Sequence, residues 1–368
     1  MVNSSEKRIP EFDGLRGIAI ALVLWWHLVE PNLQLGAASW QGWLRALTNL
    51  TWSGVDLFFV LSGYFIGGIL IDRRESPRLG RVFYLRRAAR ILPLYWLMLL
   101  VCLVAGHFGW IAREHPGWVY WLFLSNIAIG LSNGWDAAPL SVTWSLAVEE
   151  QFYLAAPWVI RAVAPARLPW LLGGVIAGAV LLRLGMWYLF PGAWTAMHTL
   201  TPLRMDLLAM GVLIAWAVRA EVARPFFARL GQHWLAWLAA GCGLFLALTI
   251  NRPGLGSPLM AGLGYSVLTA FYGLLVAIVA GVRPPALCRV LSCAPLVSLG
   301  RYSYFIYLWH FLIGAGVFHL LHGPSFPLGS TGILLASLAG IAATWAAGAV
   351  SWRWFESPLL ALGRRLQY

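Results

Sequence analysis

Apolar stretches of about 20 residues recur along the whole chain, and this is the length that an α-helix needs to cross the hydrocarbon core of a membrane. Charged residues make up only 11% of the sequence and hydrophobic residues 60%, whereas a soluble domain devotes about a quarter of its residues to charge. So few charges cannot cover a water-facing surface. The sequence therefore predicts an all-α, polytopic transmembrane bundle of about ten spans, near residues 14–31, 50–71, 91–108, 144–163, 169–190, 202–219, 234–250, 260–281, 296–318 and 331–354.

The basic residues favour one orientation of this bundle. Cytoplasmic loops accumulate Lys and Arg, and ten spans with both termini in the cytoplasm place the basic segments 73–90, 219–229 and 283–289 on that side. A further apolar stretch, 117–131, is short and ambiguous. If it crossed, every later loop would change sides, so we predict that it does not cross. The loop arginines left outside are then Arg45, Arg113 and Arg252.

Composition also limits the partners and the domain organisation. The net charge is +12, but the arginines sit in short loops beside apolar spans, so we interpret them as orientation signals and not as a nucleic-acid-binding surface. No CxxC pair or metal-ligand spacing occurs, so we expect no bound cofactor and no metal. The first span lacks a cleavage site, so we expect it to remain in the mature protein. With no long hydrophilic stretch, residues 1–368 should form a single membrane-embedded domain without a fused soluble domain.

Ionisable side chains inside the spans indicate function, because a charge at membrane depth is costly. The first span contains Arg16 and His27, which on an ideal α-helix lie about 16 Å apart along the axis and within about 20° of one face. The fourth span carries Glu149 and Glu150, which point about 100° apart, so at most one can face a given partner. These carboxylates and His27 belong to the same outer half of the membrane. There, a carboxylate can orient an imidazole and raise its basicity.

Other polar residues of the spans can be explained by contacts between helices, without a role in the chemistry. Arg204 and Asp206 open the sixth span and can pair with other spans. Ser303, Tyr307 and His310 share one face of the aromatic ninth span, where helix packing alone can explain them.

A basic segment also precedes the third span. Arg86 and Arg90 lie at positions i and i+4 and form a cationic edge beside the membrane. This edge either anchors the chain or binds a phosphate-rich donor.

Together these motifs resemble the acyltransferase-3 family of bacterial integral membrane acyltransferases. The matching segments occur in order along nearly the whole chain: Phe12–Gly17 with the Arg-x10-His spacing from Arg16 to His27, Gly54–Phe65, Arg86–Pro93, Trp144–Tyr153, Arg204-x-Asp206, Ser303–His310 and Phe355–Pro358. Tyr64 stands where the family often has Phe, which is a mild departure.

The resemblance implies an acyl-CoA donor from the cytoplasm and an acceptor on or across the bacterial cytoplasmic (inner) membrane. It also implies that Arg16 and His27 are needed for activity. On the matching motifs we predict a donor-binding group and a group of acceptor-side or structural residues. The first comprises Arg86, Arg87, Arg90 and Ser62, and the second Asp13, Asp56, Arg204, Asp206, Tyr307 and His310.

The resulting hypothesis is a membrane O-acyltransferase that moves an acyl group, with acetyl as first choice, from acyl-CoA to a hydroxyl of a cell-envelope or secreted glycan. His27 would act as general base and Glu149 would orient it, with Glu150 as second choice. Arg16 would join the basic edge in holding the donor's phosphates. The acyl chain, the acceptor, the oligomeric state and a covalent acyl-His27 intermediate stay open. A proton-coupled transporter is the alternative, and a non-catalytic membrane scaffold is the third.

Overall fold

A computed structural model of the chain describes residues 9–33, 40–112, 114–251, 254–321, 330–366 and 368. Within these ranges the chain is helical and contains no strand. The α-helices are α1 (Pro10–Leu24), α2 (Trp40–Thr48), α3 (Gly54–Asp72), α4 (Leu79–His107), α5 (Trp118–Trp121), α6 (Ser125–Ser132), α7 (Ala138–Ser141), α8 (Thr143–Ala162), α9 (Leu168–Leu189), α10 (Trp194–Thr199), α11 (Thr201–Ala217), α12 (Arg224–Gln232), α13 (Trp234–Asn251), α14 (Tyr265–Ala277), α15 (Pro285–Leu291), α16 (Ala294–Arg301), α17 (Ser303–Leu321), α18 (Ser330–Ser351) and α19 (Ser357–Arg364).

Shorter helical turns extend several of these helices. The π-helical segments are Trp25–Val29, Met260–Gly264, Ile278–Val282 and Trp352–Glu356, and the 3₁₀ segments are Glu30–Asn32, Thr51–Ser53 and Glu221–Ala223.

Nine helical segments of the described part are long and apolar enough to cross a membrane. They are Pro10–Asn32, Trp40–Asp72, Leu79–His107, Leu168–Leu189, Trp194–Ala217, Trp234–Asn251, Met260–Val282, Ser303–Leu321 and Gly332–Gly363. Helix α8 corresponds to the remaining predicted span. It has 20 residues, but Glu149 and Glu150 make it more polar than the nine. The all-α, polytopic bundle is therefore confirmed.

The ambiguous stretch 117–131 does not form one continuous helix. Helices α5 and α6 divide it into pieces of four and eight residues, and Phe123 between them adopts a left-handed backbone with φ 55°. Neither piece approaches the roughly 20 residues that a spanning helix needs. This agrees with a bundle in which the stretch does not cross, but the orientation of the bundle stays a prediction. Lys7, Arg8, Arg113 and Arg252, which contribute to that prediction, lie outside the described residues.

Glycines bring helices α3 and α11 into close contact. Gly63 of α3 lies against the carbonyl of Leu208, and Gly211 of α11 lies against the carbonyl of Val60. A Cβ atom at either glycine would collide with the facing backbone oxygen. Small residues at helix interfaces permit this kind of approach within membranes. The pair α3 and α11 therefore forms the centre of the bundle.

The Asp-Gly-Leu-Arg-Gly sequence of α1 has the same packing function. Gly14 and Gly17 lie against the backbone of Leu291 and Leu296, where a Cβ atom would collide. Facing them, Gly300 of α16 lies against the carbonyl that precedes Gly14. These contacts fix α1, and with it Arg16 and His27, against α15 and α16.

Helix α1 changes geometry just before His27. The segment Trp25–Val29 is π-helical, and a π turn contains an extra residue, so it rotates the following side chains away from their α-helical positions. The expectation that Arg16 and His27 share one face assumed an ideal α-helix. His27 lies in the segment where that geometry ends, and π turns of this kind are frequent at functional sites.

Candidate active site

Two histidines from helices distant in sequence form a hydrogen-bonded pair. Nδ1 of His27 lies 2.9 Å from Nε2 of His310 on α17. The two rings stack with an interplanar angle of 18° and a centroid distance of 4.9 Å. His310 is fully buried, and its Nδ1 lies 2.8 Å from the carbonyl oxygen of Tyr307 and 3.1 Å from that of Ile306.

These carbonyls determine the direction of the hydrogen bond between the histidines. A carbonyl oxygen only accepts, so Nδ1 of His310 carries the ring proton. In a neutral imidazole the other nitrogen, Nε2, is then an acceptor, and His27 must donate to it from Nδ1. Nε2 of His27 therefore keeps its lone pair. The hydrogen-bond partners thus assign His27 the tautomer that a general base requires.

His27 lines two cavities. The first, the wide cavity, has a volume of about 860 Å³ and lies between the end of the first span, α17 and α18. Its wall is rich in small residues, including Ala105, Ala112, Ala137, Ala315, Ala336 and Gly340. The second, the tryptophan cavity, has a volume of about 380 Å³ and is lined by Trp26, Trp52, Trp135, Trp144 and Trp194 together with His198. His27, Ala138 and Phe311 line both cavities, so the same histidine borders each of them.

Glu149 belongs to a separate hydrogen-bonded group. Its carboxylate accepts hydrogen bonds from Ser62 at 2.7 Å and from Tyr153 at 3.0 Å. Arg87 lies over the Tyr153 ring at 5.6 Å, and Arg87 and Arg90 are within electrostatic range of Glu149. The structure thus brings together three of the predicted donor-binding residues and the carboxylate that we expected beside His27. The prediction that Glu149 orients His27 is not met in the structure. The residue that bonds to His27 is His310.

Helices α8 and α17 connect the two groups. Ser145, one turn before Glu149, has its Oγ 2.5 Å from the hydroxyl of Tyr307, and Tyr307 precedes His310 by three residues. A row of polar side chains therefore extends from Arg87 through Glu149 to the histidine pair. Glu150 faces elsewhere, and within the described part of the chain its buried Oε1 has no hydrogen-bond partner.

Two of the remaining arginines predicted to bind the donor have internal partners. Arg16 contacts Asp13 at 3.4 Å and lies 4.5 Å over the ring of Phe65. Arg86 donates to the carbonyl of Leu366 at 3.2 Å from Nε and lies 4.6 Å over the ring of Tyr368. Arg90 is exposed.

Asp56, Arg204 and Asp206 form a buried cluster with Arg183 of α9. Arg204 makes a hydrogen-bonded ion pair with Asp56, and Arg183 pairs with Asp206 at 2.8 Å. Thr269 donates to Asp206 at 3.0 Å. All four charged side chains are at most 1% exposed, so their geometry supports the structural interpretation and gives no role in the chemistry.

Two buried residues with specific polar contacts, Arg183 and His198, were not predicted from the sequence. Arg183 lies within a predicted span, so the cost of an intramembrane charge was a sufficient signal for it. His198 is buried on α10, with Nδ1 3.1 Å from the hydroxyl of Tyr265, and lay just outside a predicted span. In the described ranges, no three or more His, Cys, Asp and Glu residues are grouped to hold a metal ion.

Comparison with known proteins shows that the chain belongs to a family of acyltransferases. The sequence profile described as "Acyltransferase domain" matches residues 9–352. A peptidoglycan O-acetyltransferase OatA from Listeria monocytogenes is 27% identical over 96% of this chain and 56% of its own length. An O-acetyltransferase OatA from Staphylococcus aureus strain NCTC 8325 is 26% identical over 84% of this chain and 51% of its own length. The chain thus spans about half the length of these relatives. No solved structure matches it.

Proposed function

Since this chain belongs to the acyltransferase-3 family, we propose that it transfers an acetyl group from acetyl-CoA to a hydroxyl of an envelope glycan. Membership rests on a match over nearly the whole chain, and both similar relatives have names that specify O-acetyl transfer, one of them to peptidoglycan. The observation that carries the proposal for this chain is the position of His27. His27 borders two cavities, and its hydrogen bond to His310 through Nδ1 leaves the lone pair of Nε2 available.

The reaction needs a base for the acceptor and an acid for the leaving group. Nε2 of His27 takes the hydroxyl proton as the acceptor oxygen attacks the thioester carbonyl carbon. The carbon–sulfur bond then breaks, and the imidazolium returns the proton to the departing CoA thiolate. His310 stabilises the imidazolium, because its Nε2 accepts the Nδ1 proton of His27. No net change of protonation remains on the protein after one turnover.

The basic edge and the polar row provide a route for the donor. Arg90 is exposed, while Arg87 and Arg90 are both within electrostatic range of Glu149. Guanidinium groups bind phosphate oxygens strongly, so this edge would hold the phosphates of CoA. The extended arm would pass the group of Ser62, Glu149 and Tyr153 and bring its thioester to His27. On this arrangement Glu149 guides the donor and does not orient the base.

A transfer assay on the purified protein in lipid nanodiscs tests the proposal, because both faces of the protein are then accessible. Radiolabelled acetyl-CoA and chitotetraose are supplied, and CoA release and labelled sugar are measured. His27→Ala should lower the rate by about 10²- to 10⁴-fold, the range for loss of a general base. His233→Ala, at an exposed loop histidine, should leave the rate unchanged.

Two outcomes would contradict the proposal. The first is a His27→Ala variant that transfers acetyl at nearly the wild-type rate. The second is sugar or acetyl flux across proteoliposomes without cleavage of the thioester, which would instead identify the protein as a carrier.

A further inference from the structure

The tryptophan cavity has an aromatic wall built from several separate segments. Trp144 and Trp52 contact the ring of His198 at centroid distances of 4.9 and 5.1 Å. Trp135 lies 5.9 Å from the same ring and 6.2 Å from Trp194. Trp52 and Trp144 are 8% and 5% exposed, so these indoles are interior wall and not a belt at the membrane surface.

Three polar side chains of this wall have hydrogen-bond partners elsewhere in the protein. Asp136 is the one charged lining residue in the described part of the chain, and it pairs with Nδ1 of His115 at 3.1 Å. His198 bonds to Tyr265, and Tyr307 bonds to Ser145. The cavity therefore offers aromatic faces and hydrogen-bonded polar groups. No Lys or Arg is among the described residues that line it, so it has no cationic group to bind a phosphate or a carboxylate.

We propose that the tryptophan cavity binds one neutral pyranose unit of the acceptor and presents its hydroxyl to His27. The C–H face of a pyranose ring is apolar and weakly positive, and it stacks on the negative face of an indole. The volume of about 380 Å³ falls within the range of about 300–1,000 Å³ typical of small-molecule sites. His27 lines this cavity together with Tyr307, so a ring stacked there lies beside the base.

This inference rests on the proposed acetyl transfer, and it adds the location and the charge class of the acceptor unit.

Trp135 is the best residue for a test, because it lies between α6 and α7 and is 37% exposed, so its removal leaves the helices intact. Trp170 is the matched control: it is 82% exposed and lines neither cavity.

Two measurements on Trp135→Ala test the inference. In the transfer assay the KM for chitotetraose should rise about 3- to 10-fold, as expected for loss of one aromatic stacking contact. The KM for acetyl-CoA should stay constant, because Trp135 lies on the acceptor side of His27 in this proposal. Trp135→Phe should retain most of the affinity, and Trp170→Ala should match the wild type. Tetragalacturonate, which is anionic, should be a poorer acceptor than chitotetraose.

A binding measurement separates this inference from the proposed function. Saturation-transfer NMR with chitotetraose and no acetyl-CoA should show binding to wild-type and His27→Ala protein and weaker binding to Trp135→Ala. If His27→Ala keeps full transfer activity, the proposed function fails while the binding result stands. An unchanged KM and unchanged binding in Trp135→Ala would overturn the cavity assignment. A parallel rise in the KM for acetyl-CoA, or a preference for tetragalacturonate, would overturn it as well.

Discussion

The hydrogen-bond direction within the histidine pair decides which atom can act as the base. His310 is held by two backbone carbonyls, and a main-chain acceptor cannot change its role. The proton on Nδ1 of His310 therefore fixes the proton on Nδ1 of His27, which leaves Nε2 of His27 available for the acceptor. This is the same logic by which a carboxylate fixes the tautomer of a catalytic histidine, with a second imidazole in place of the carboxylate.

Replacing His310 should separate orientation from packing. His310→Ala removes the acceptor for Nδ1 of His27, so we expect kcat to fall by about 10- to 100-fold, as when the outer partner of a metal-bound histidine is lost. His310→Gln places an amide oxygen near the former Nε2 and should recover part of that loss. The KM for acetyl-CoA should stay constant in both variants. Equal kcat values for the Ala and Gln variants would show that His310 only fills space. His107→Ala, which removes an exposed histidine, is the control and should keep the wild-type kcat.

At the residue scale, only local signals were accessible from sequence. A charge inside an apolar span drew attention to Arg16, His27, Glu149, Arg204 and Asp206. The structure gives each of them a partner, while their roles in the chemistry stay predictions. The pairing of His27 with His310 joins positions 283 residues apart, and a single sequence contains no information on such contacts. The π turn at Trp25–Val29 was also unpredictable, because hydropathy reports the length of a helix and not its local winding.

At the scale of elements, the contact between α3 and α11 depends on the absence of side chains. Gly63→Ala would place a Cβ against the carbonyl of Leu208, and a helix backbone cannot yield as a flexible side chain can. We expect the free energy of unfolding to fall by about 1–3 kcal/mol, the usual cost of overpacking. The midpoint of thermal unfolding in detergent measures this.

Gly174→Ala on α9 is the control for this substitution. Nothing lies within 4 Å of the added Cβ, and Ala favours a helix over Gly by about 0.5–1 kcal/mol. The control should therefore be as stable as the wild type or more so. A Gly63→Ala variant of undiminished stability would refute the close-packing account.

Elements were the part of the structure most accessible from sequence. Long apolar stretches predicted the spanning helices, because length and hydropathy are properties of each segment alone. Helix α8 illustrates the limit: its two carboxylates reduce its hydropathy, and only its packing within the bundle shows that Ser62 and Tyr153 donate to Glu149. The packing of the glycines against neighbouring backbones likewise required the three-dimensional structure.

At the scale of the whole molecule, the orientation in the membrane follows from the basic loops and can be tested with cysteine labelling. Cys293 is exposed between α15 and α16, and we predict that it faces the cytoplasm. In a variant without Cys102, Cys242 and Cys288, a membrane-impermeant maleimide should label Cys293 only after permeabilisation. In the same background without Cys293, Gly254→Cys should be labelled in intact cells. The reverse labelling pattern would show that the protein has the opposite orientation in the membrane.

A double-mutant cycle on acetyl transfer decides whether His310 acts through His27. The rates of wild type, His27→Ala, His310→Ala and the double variant are measured under saturating acetyl-CoA. Residues that act as one unit show strongly non-additive losses. We therefore predict that the double variant is no slower than His27→Ala alone. A double variant slower by the product of the two single losses would show that His310 does not act through His27.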